Sequence, residues 1–456
     1  MSSQQVLEQL KSGMLVGIQR LDLSCGLTEF PREIFDLADS LEILNLSGNQ
    51  LSSLPADLPR LHKLRIIFCS DNLFTELPAI LGQCKNLTMV GFKANQISSV
   101  PEASLAPTLR WLILTNNRIQ SMPSSLGQCL QMQKLMLAGN QLSDLPVELA
   151  NCAQLELLRL SANLFSVLPP WLLTMPRMAW LALAGNPLTD RFEAARQAPS
   201  IASIDWQYIE LGAKLGEGAS GVIYRAKSRQ TDGPPKEVAV KLFKSAVTSD
   251  GMPRCEMAAS IAVGLHPHVV GVLGEISHHP NETRGLNMGL VMPLISSDFM
   301  NLAQPPSLSS CTRDIYTQGL AFSLQELNSL ALGIARAAEH LHACGILHGD
   351  LYAHNILHNS EGHGLLGDFG AASFLPTQDH GTSQALQRIE VRAFGILLGE
   401  LLALCSESVD DAEQAIKSKF VALQRRCTQA HVPGRPLFAE VVSALHLHMD
   451  VANSAS

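Results

Sequence analysis

Asn49, Asn72, Asn95, Asn117, Asn140, Asn163 and Asn186 follow one another at intervals of 22 or 23 residues, and around each the same frame returns. LEILNLSGNQLSSLP, beginning at Leu41, comes back as LRIIFCSDNLFTELP, LTMVGFKANQISSVP, LRWLILTNNRIQSMP, MQKLMLAGNQLSDLP and LELLRLSANLFSVLP. A leading IQRLDLSCGLTEFP, with Cys25 in the place of the asparagine, and a trailing MAWLALAGNPLTD complete the series. One such unit cannot bury its leucines alone, whereas a stack of them can, so the first part of the chain is confined to a solenoid.

Within each unit, LxxLxL alternates as a short strand. Its leucines point inward, its intervening residues point to one open face, and the asparagine bonds backbone where the strand turns. Pro31, Pro55, Pro78, Pro101, Pro123, Pro146 and Pro169 then fix φ and remove a donor, so the chain leaves the sheet and returns along the convex side. Over residues 15 to 190 this pattern resembles the leucine-rich repeat. Ile43, Ile66, Phe68, Met89, Trp111, Ile113, Met136 and Trp180 fall on the concave face, an apolar exposed sheet suited to a protein partner.

A chain of 456 residues exceeds one hydrophobic core, and the repeat accounts for less than half of it. The division expected is a repeat domain over 1–190, a linker over 191–207 and a second domain over 208–450. The formal charge of −8 is spread, with no basic run for nucleic acid. The first residues show no leader pattern, and no segment approaches the ~20 apolar residues of a membrane span. The ten cysteines include no CxxC pair, and Cys84, Cys129 and Cys152 recur at one place in the repeat as small buried hydrophobes. A reduced, cytoplasmic location is the expectation.

The second part carries chemistry. In LGEGASGVIYRAK, Gly216, Gly218 and Gly221 let backbone amides approach phosphates. VAVK ends a strand on Lys241, placed for the α and β phosphates, and Glu256 on the following helix is the acid positioned to hold it. GLVMPLI runs from a buried strand into a connection where the Pro293 carbonyl and the Ile295 amide can bond an adenine. SLQELNSLALGIARAAEHLHACG reads as a helix with a Ser323/Glu326 capping box, and it delivers ILHGDLYAHNIL. There Asp350 can accept the proton of an attacking hydroxyl, while Asn355, with Asp368 of GLLGDFG, can hold Mg²⁺.

In this order, over residues 205 to 450, the motifs resemble the eukaryotic-type protein kinases. The resemblance implies an α/β leucine-rich-repeat solenoid followed by an α+β bilobal protein-kinase-like domain. It implies ATP and Mg²⁺ as cofactors. Lys241 and Glu256 would form the ion pair, Asp350 would be the catalytic base, and Asn355 and Asp368 the metal ligands. Leu215, Gly216, Gly218, Gly221, Ile223, Ala239, Lys241, Met292, Pro293 and Ile295 would bind the nucleotide. IEVRAFGILLGELL, 389 to 402, corresponds to the central helix of the large lobe, with Glu390 for its usual Asp.

The sequence also departs from that family. Gly349 stands for the Arg that meets a phosphorylated activation loop, Tyr352 for the Lys that steadies the γ-phosphate, and His354 for the Arg of tyrosine kinases. About twenty residues separate Gly370 from Glu390, APE is absent, and Arg435 lacks its usual Glu partner. Ser373, Thr377, Thr382 and Ser383 are candidate phosphosites there. The leading expectation is a serine/threonine kinase whose substrates the repeats recruit. A nucleotide-binding scaffold and a small-molecule phosphotransferase remain open beside it.

Overall fold

A computed structural model describes residues 2–195, 201–218, 220–229, 234–244, 248, 250–280, 289–376, 378–406 and 411–454, and the chain divides into two compact units, Met1–Met175 and Pro176–Ser456. The first unit opens on α1 (Ser3–Lys11), in which Ser2 and Gln5 form a capping box and Leu7 and Leu10 are buried. Its strands are three residues each: β1 (Arg20–Asp22), β2 (Ile43–Asn45), β3 (Ile66–Phe68), β4 (Met89–Gly91), β5 (Trp111–Ile113), β6 (Lys134–Met136) and β7 (Leu157–Arg159). They pair in parallel and in register from β1 through β7. Short 3-10 turns follow Pro31, Pro78, Pro101, Pro123, Pro146 and Pro169, the convex return that a missing N–H and a fixed φ impose.

The asparagines form a ladder. Asn163 Oδ1 accepts from the Leu142 amide at 3.0 Å, and its Nδ2 donates to the carbonyls of Leu137 at 2.9 Å and Leu160 at 3.0 Å. In this unit the residue before each ladder asparagine has positive φ, at Gly48, Asp71, Ala94, Asn116, Gly139 and Ala162. The left-handed step aims the side chain back at the turn, and it costs about 1 kcal/mol where the residue is not glycine. We expect Asn163→Ala to lower stability by about 2 kcal/mol, since a buried amide and two carbonyls lose partners. An unchanged urea midpoint would remove the ladder from the account.

The concave face differs from the expectation of an exposed apolar sheet. Ile66 and Met89 are buried, and Ile43, Phe68, Trp111, Ile113 and Met136 are half-buried. The reason is register: each such side chain is flanked along the ladder by its counterparts about 4.8 Å away, as Met89 is by Ile66 and Trp111. Lys134 also lays its ammonium 4.4 Å from the Trp111 ring centre.

The second unit begins before the expected boundary at 190. It takes in β8 (Trp180–Ala182), the last repeat strand, and α2 (Pro187–Ala194), capped by Asn186. The presumed linker over 191–207 is also structured in part, because β9 (Ala202–Asp205) pairs in parallel with β13 (Gly274–Ser277) at a sheet edge. That sheet has the order β10-β11-β12-β14-β13-β9, with β10 (Ile209–Glu217), β11 (Gly221–Ser228), β12 (Lys236–Phe243) and β14 (Gly289–Pro293) antiparallel in turn. Ile204, Ala226, Val238, Val240 and Val291 bury its inner face.

Between β12 and β13 lies α3 (Pro253–Val263). A helical region follows: α4 (Leu324–Ala343), α5 (His380–Ala403), α6 (Asp411–Thr428) and α7 (Phe438–Ser454). The Ser323/Glu326 capping box is present, and Leu327, Leu330, Ile334, Ala338 and Leu341 are buried along one face of α4. The central helix starts at His380, well before the expected 389, because Asp379 caps it through the Thr382 amide. Short strands β15 (Met300–Asn301), β16 (Ile346–Leu347), β17 (Ile356–His358), β18 (Gly364–Leu366) and β19 (Ser373–Phe374) frame the loops between. Among the described residues no helix is long and apolar enough to cross a membrane.

Candidate active site

A cavity of about 870 Å³ lies in the second unit, walled by the β10–β11 hairpin, β12, α3, the β14 exit and the loops around β17 and β18. Its size suits a nucleotide-sized ligand. Leu215, Gly216, Gly218, Gly221, Ile223, Ala239, Lys241, Glu256, Met292, Pro293, Ile295, Asn355 and Asp368 all line it. Asp350 is not in the wall itself but stands directly behind Asn355.

The three glycines serve different ends. A Cβ on Gly221 would fall 2.5 Å from the Leu242 carbonyl oxygen of the neighbouring strand, so packing demands glycine there. Nothing lies within 4 Å of a Cβ built on Gly216 or Gly218, so these two leave room for a ligand rather than for protein. The Gly218 amide donates to the Gly221 carbonyl at 2.9 Å and closes the hairpin tip.

Lys241, central in β12, and Glu256, in the first turn of α3, form an ion pair with side-chain exposures of 12% and 4%. Burial pushes the Glu256 carboxyl above its ordinary range, the Lys241 charge opposes that, and the Asp368 carboxylate adds to it. Ala239 pairs across the sheet with Met292 and Val238 with Pro293, which brings the β14 exit beside the apolar roof made by Leu215 and Ile223.

The loop after β16 is held from three sides. His348 Nδ1 accepts the Asp350 amide at 3.2 Å and its Nε2 donates to the Gly367 carbonyl at 2.9 Å, which fixes the neutral tautomer with the proton on Nε2. Glu390 of α5 accepts the Gly349 amide at 2.6 Å, the His348 amide at 3.2 Å and His342 Nε2 at 2.7 Å. Asn355 Nδ2 donates to both the carbonyl and Oδ2 of Asp350 at 2.9 Å, and so orients that carboxylate. Asp368 takes φ +54, a left-handed backbone, and its Oδ1 accepts the Gly370 amide at 3.1 Å.

Two participants carry no signal in the sequence. Asp314, whose side chain is fully buried, accepts His354 Nδ1 at 2.7 Å and the His354 amide at 3.1 Å from 40 residues away. Burial alone would lower the pKa of His354, but the Asp314 hydrogen bond and charge, with Asp350 and Asp368 nearby, hold it above its ordinary value. Trp180 is the other, and it corrects its placement on a partner face: it is 1% exposed and stacks on Tyr352 with ring centres 4.0 Å apart and planes 6° from parallel. Among the proposed phosphosites, Ser373 and Ser383 are buried, which withdraws them as accessible sites in the folded chain, and Thr377 lies outside the described residues.

A model of the protein kinase domain matches residues 209–390, and leucine-rich-repeat models match residues 40–61 and 107–165. The chain carries leucine-rich repeats followed by a protein kinase domain. Fibroblast growth factor receptor 1 of Pleurodeles waltl is 22% identical over 281 residues, 52% of this chain and 34% of that protein. Serine/threonine-protein kinase TNNI3K of Mus musculus is 27% identical over 188 residues, 40% of this chain and 20% of the relative. On the repeat side, leucine-rich repeat and calponin homology domain-containing protein 1 of Mus musculus is 31% identical over 112 residues, 24% of this chain and 16% of its own length. The chain thus spans between 16% and 34% of the length of these relatives. Within the kinase domain, Lys241, Glu256, Asn355 and Asp368 are among the polar groups that line one cavity, and Asp350 is hydrogen-bonded to Asn355 beside it.

The site also suits the ligands that such a domain takes. Among the described residues no cluster of three or more His, Cys, Asp or Glu side chains forms a metal cage. Asn355 and Asp368 on one wall match instead a Mg²⁺ held by one carboxylate, one amide oxygen and phosphate oxygens.

Proposed function

We propose that this chain is an ATP- and Mg²⁺-dependent protein kinase that phosphorylates serine or threonine hydroxyls on proteins recruited by its repeats. The observation that carries the reading is the convergence of the Lys241–Glu256 ion pair, Asp368 and the Asp350–Asn355 pair on one nucleotide-sized cavity. Asp350, oriented by Asn355, accepts the proton of the incoming hydroxyl, a step in which a positioned base contributes about 10²- to 10⁴-fold. Lys241, steadied by Glu256, offers its ammonium to the phosphates, and Gly216 and Gly218 let the hairpin amides close over them. Asn355 and Asp368 would hold Mg²⁺, which when bound neutralises phosphate charge. Leu215, Ile223, Ala239 and Met292 exclude water from the adenine side.

The serine/threonine preference rests on the TNNI3K relative, and the recruiting role on the repeats themselves. Ile43, Phe68, Trp111, Ile113 and Met136, the half-buried apolar side chains of the concave strands, are the surface assigned to a protein partner. A cytoplasmic location accords with ten free cysteines, of which Cys69, Cys84, Cys129 and Cys152 have thiols that burial pushes well above their ordinary value.

The test is incubation of the full chain with γ-labelled ATP, with Mg²⁺ or with chelator, alone and with a generic protein substrate. Mg²⁺-dependent label on serine or threonine is the expected result. Nucleotide binding without transfer would leave a scaffold, and label confined to small molecules would replace the protein substrate with a metabolite.

A further inference from the structure

The departures from the kinase pattern at Gly349, at Tyr352 and opposite Arg435 are scattered in sequence, yet in the structure all three meet one segment, residues 176–181. Trp180 of β8 stacks on Tyr352 at 4.0 Å, and its Nε1–H donates to the Leu351 carbonyl at 3.0 Å, one residue from Asp350. Gly349 has φ +74, and a Cβ there would lie 2.7 Å from the carbonyl oxygens of both Leu181 and Ala371, so an arginine at this position would collide with the strand. Arg435, 2% exposed and without the carboxylate expected of it, donates instead to the carbonyls of Pro176 at 2.7 Å, Gln429 at 2.9 Å and Arg388 at 3.2 Å. Arg392 of α5 donates to the Arg177 carbonyl at 3.1 Å.

We propose that the last repeat strand is a built-in positioning element of the phosphotransfer loop, with Trp180 as the positioning residue that sets Asp350 through Tyr352 and Leu351. The indole fills the place beside the loop that a lysine at position 352 would have reached across, and the 176–181 backbone answers the arginine that a longer activation segment would have paired. A loop held by covalently attached chain needs no phosphate to order it, so the kinase is ready as synthesised. The inference rests on the proposed phosphotransfer, and its test separates the two.

In the full chain, Trp180→Ala and Trp180→Phe are compared with wild type for kcat, for the KM of ATP, and for amide hydrogen exchange over residues 348–355 and over β12. Trp180→Ala is expected to lower kcat about thirtyfold, as loss of alignment does, with the KM of ATP within about twofold because Trp180 does not line the cavity. Trp180→Phe keeps the stack, loses only the N–H bond, and is expected to recover kcat to within about fivefold of wild type. Exchange should quicken over 350–355 and stay unchanged in β12.

A fall in kcat of less than about twofold for Trp180→Ala, or exchange that quickens equally in β12, would overturn the positioning role. If Trp180→Ala does not fold, Trp180→Phe decides by the same loop-selective exchange. If wild type transfers no phosphate, the functional reading fails, and exchange in the loop alone decides the positioning.

Discussion

Asp350→Asn is expected to lower kcat for phosphate transfer about 10³-fold while leaving the Kd for nucleotide unchanged within about twofold. Asp350 stands behind Asn355 rather than in the cavity wall, so nucleotide affinity is expected to depend little on its charge. Its carboxylate is aimed by Asn355 Nδ2, bonded at 2.9 Å to Oδ2 and to the carbonyl of the same residue, and by the His348 ring that accepts its amide. An amide side chain in the same place keeps the shape and loses the basic oxygen, so the loss falls on the proton transfer. Steady-state labelling beside a fluorescent-nucleotide titration measures both quantities. A variant with more than about a tenth of wild-type kcat would show that the proton leaves by another route.

Glu390→Ala is expected to destabilise the kinase domain by about 3–5 kcal/mol, read from the urea midpoint, because it leaves buried partners of an ionised group unpaired. Glu390 is 1% exposed and takes three hydrogen bonds, from the His348 and Gly349 amides and from His342 Nε2. Two of the three are the amides that begin the phosphotransfer loop, so α5 and the loop are tied through one side chain.

The same residue predicts a pH dependence. Burial by itself would raise the Glu390 pKa, but the His342 hydrogen bond and charge, with the Gly349 amide, hold it below the ordinary glutamate value. A carboxyl depressed in the folded state contributes stability that is complete above its unfolded pKa and is lost as the pH falls through the folded one. Wild type should therefore lose stability below about pH 4.3 more steeply than Glu390→Gln, which has no proton to take up there. Parallel curves for the two proteins would deny Glu390 its charge in the native state.

Much of the site was legible because its parts are local. Asp350, Asn355 and Asp368 lie within one loop and the hairpin after it, and Lys241 and Glu256 lie on a strand and the helix that follows it, so order and residue type suffice to place them. The solenoid was legible for the same reason, since each repeat contacts chiefly its neighbours and the period of the asparagines is the period of the fold. The N-terminal helix α1 is not legible in the sequence because nine residues with two buried leucines make a weak pattern. Nor is the strand β9, because four residues read as linker until a sheet edge pairs with them.

By itself the sequence determined the two kinds of architecture, the ladder asparagines and the identity of the groups around the nucleotide cavity, all set by short-range spacing. Only the tertiary structure decided where the repeats end, what faces Tyr352, what replaces the partner of Arg435 and what holds His354. Those answers are contacts such as Trp180 with Leu351, 171 residues apart. No periodicity or local propensity encodes such a pair, because it exists only once two separately formed surfaces have packed and buried their polar groups against each other.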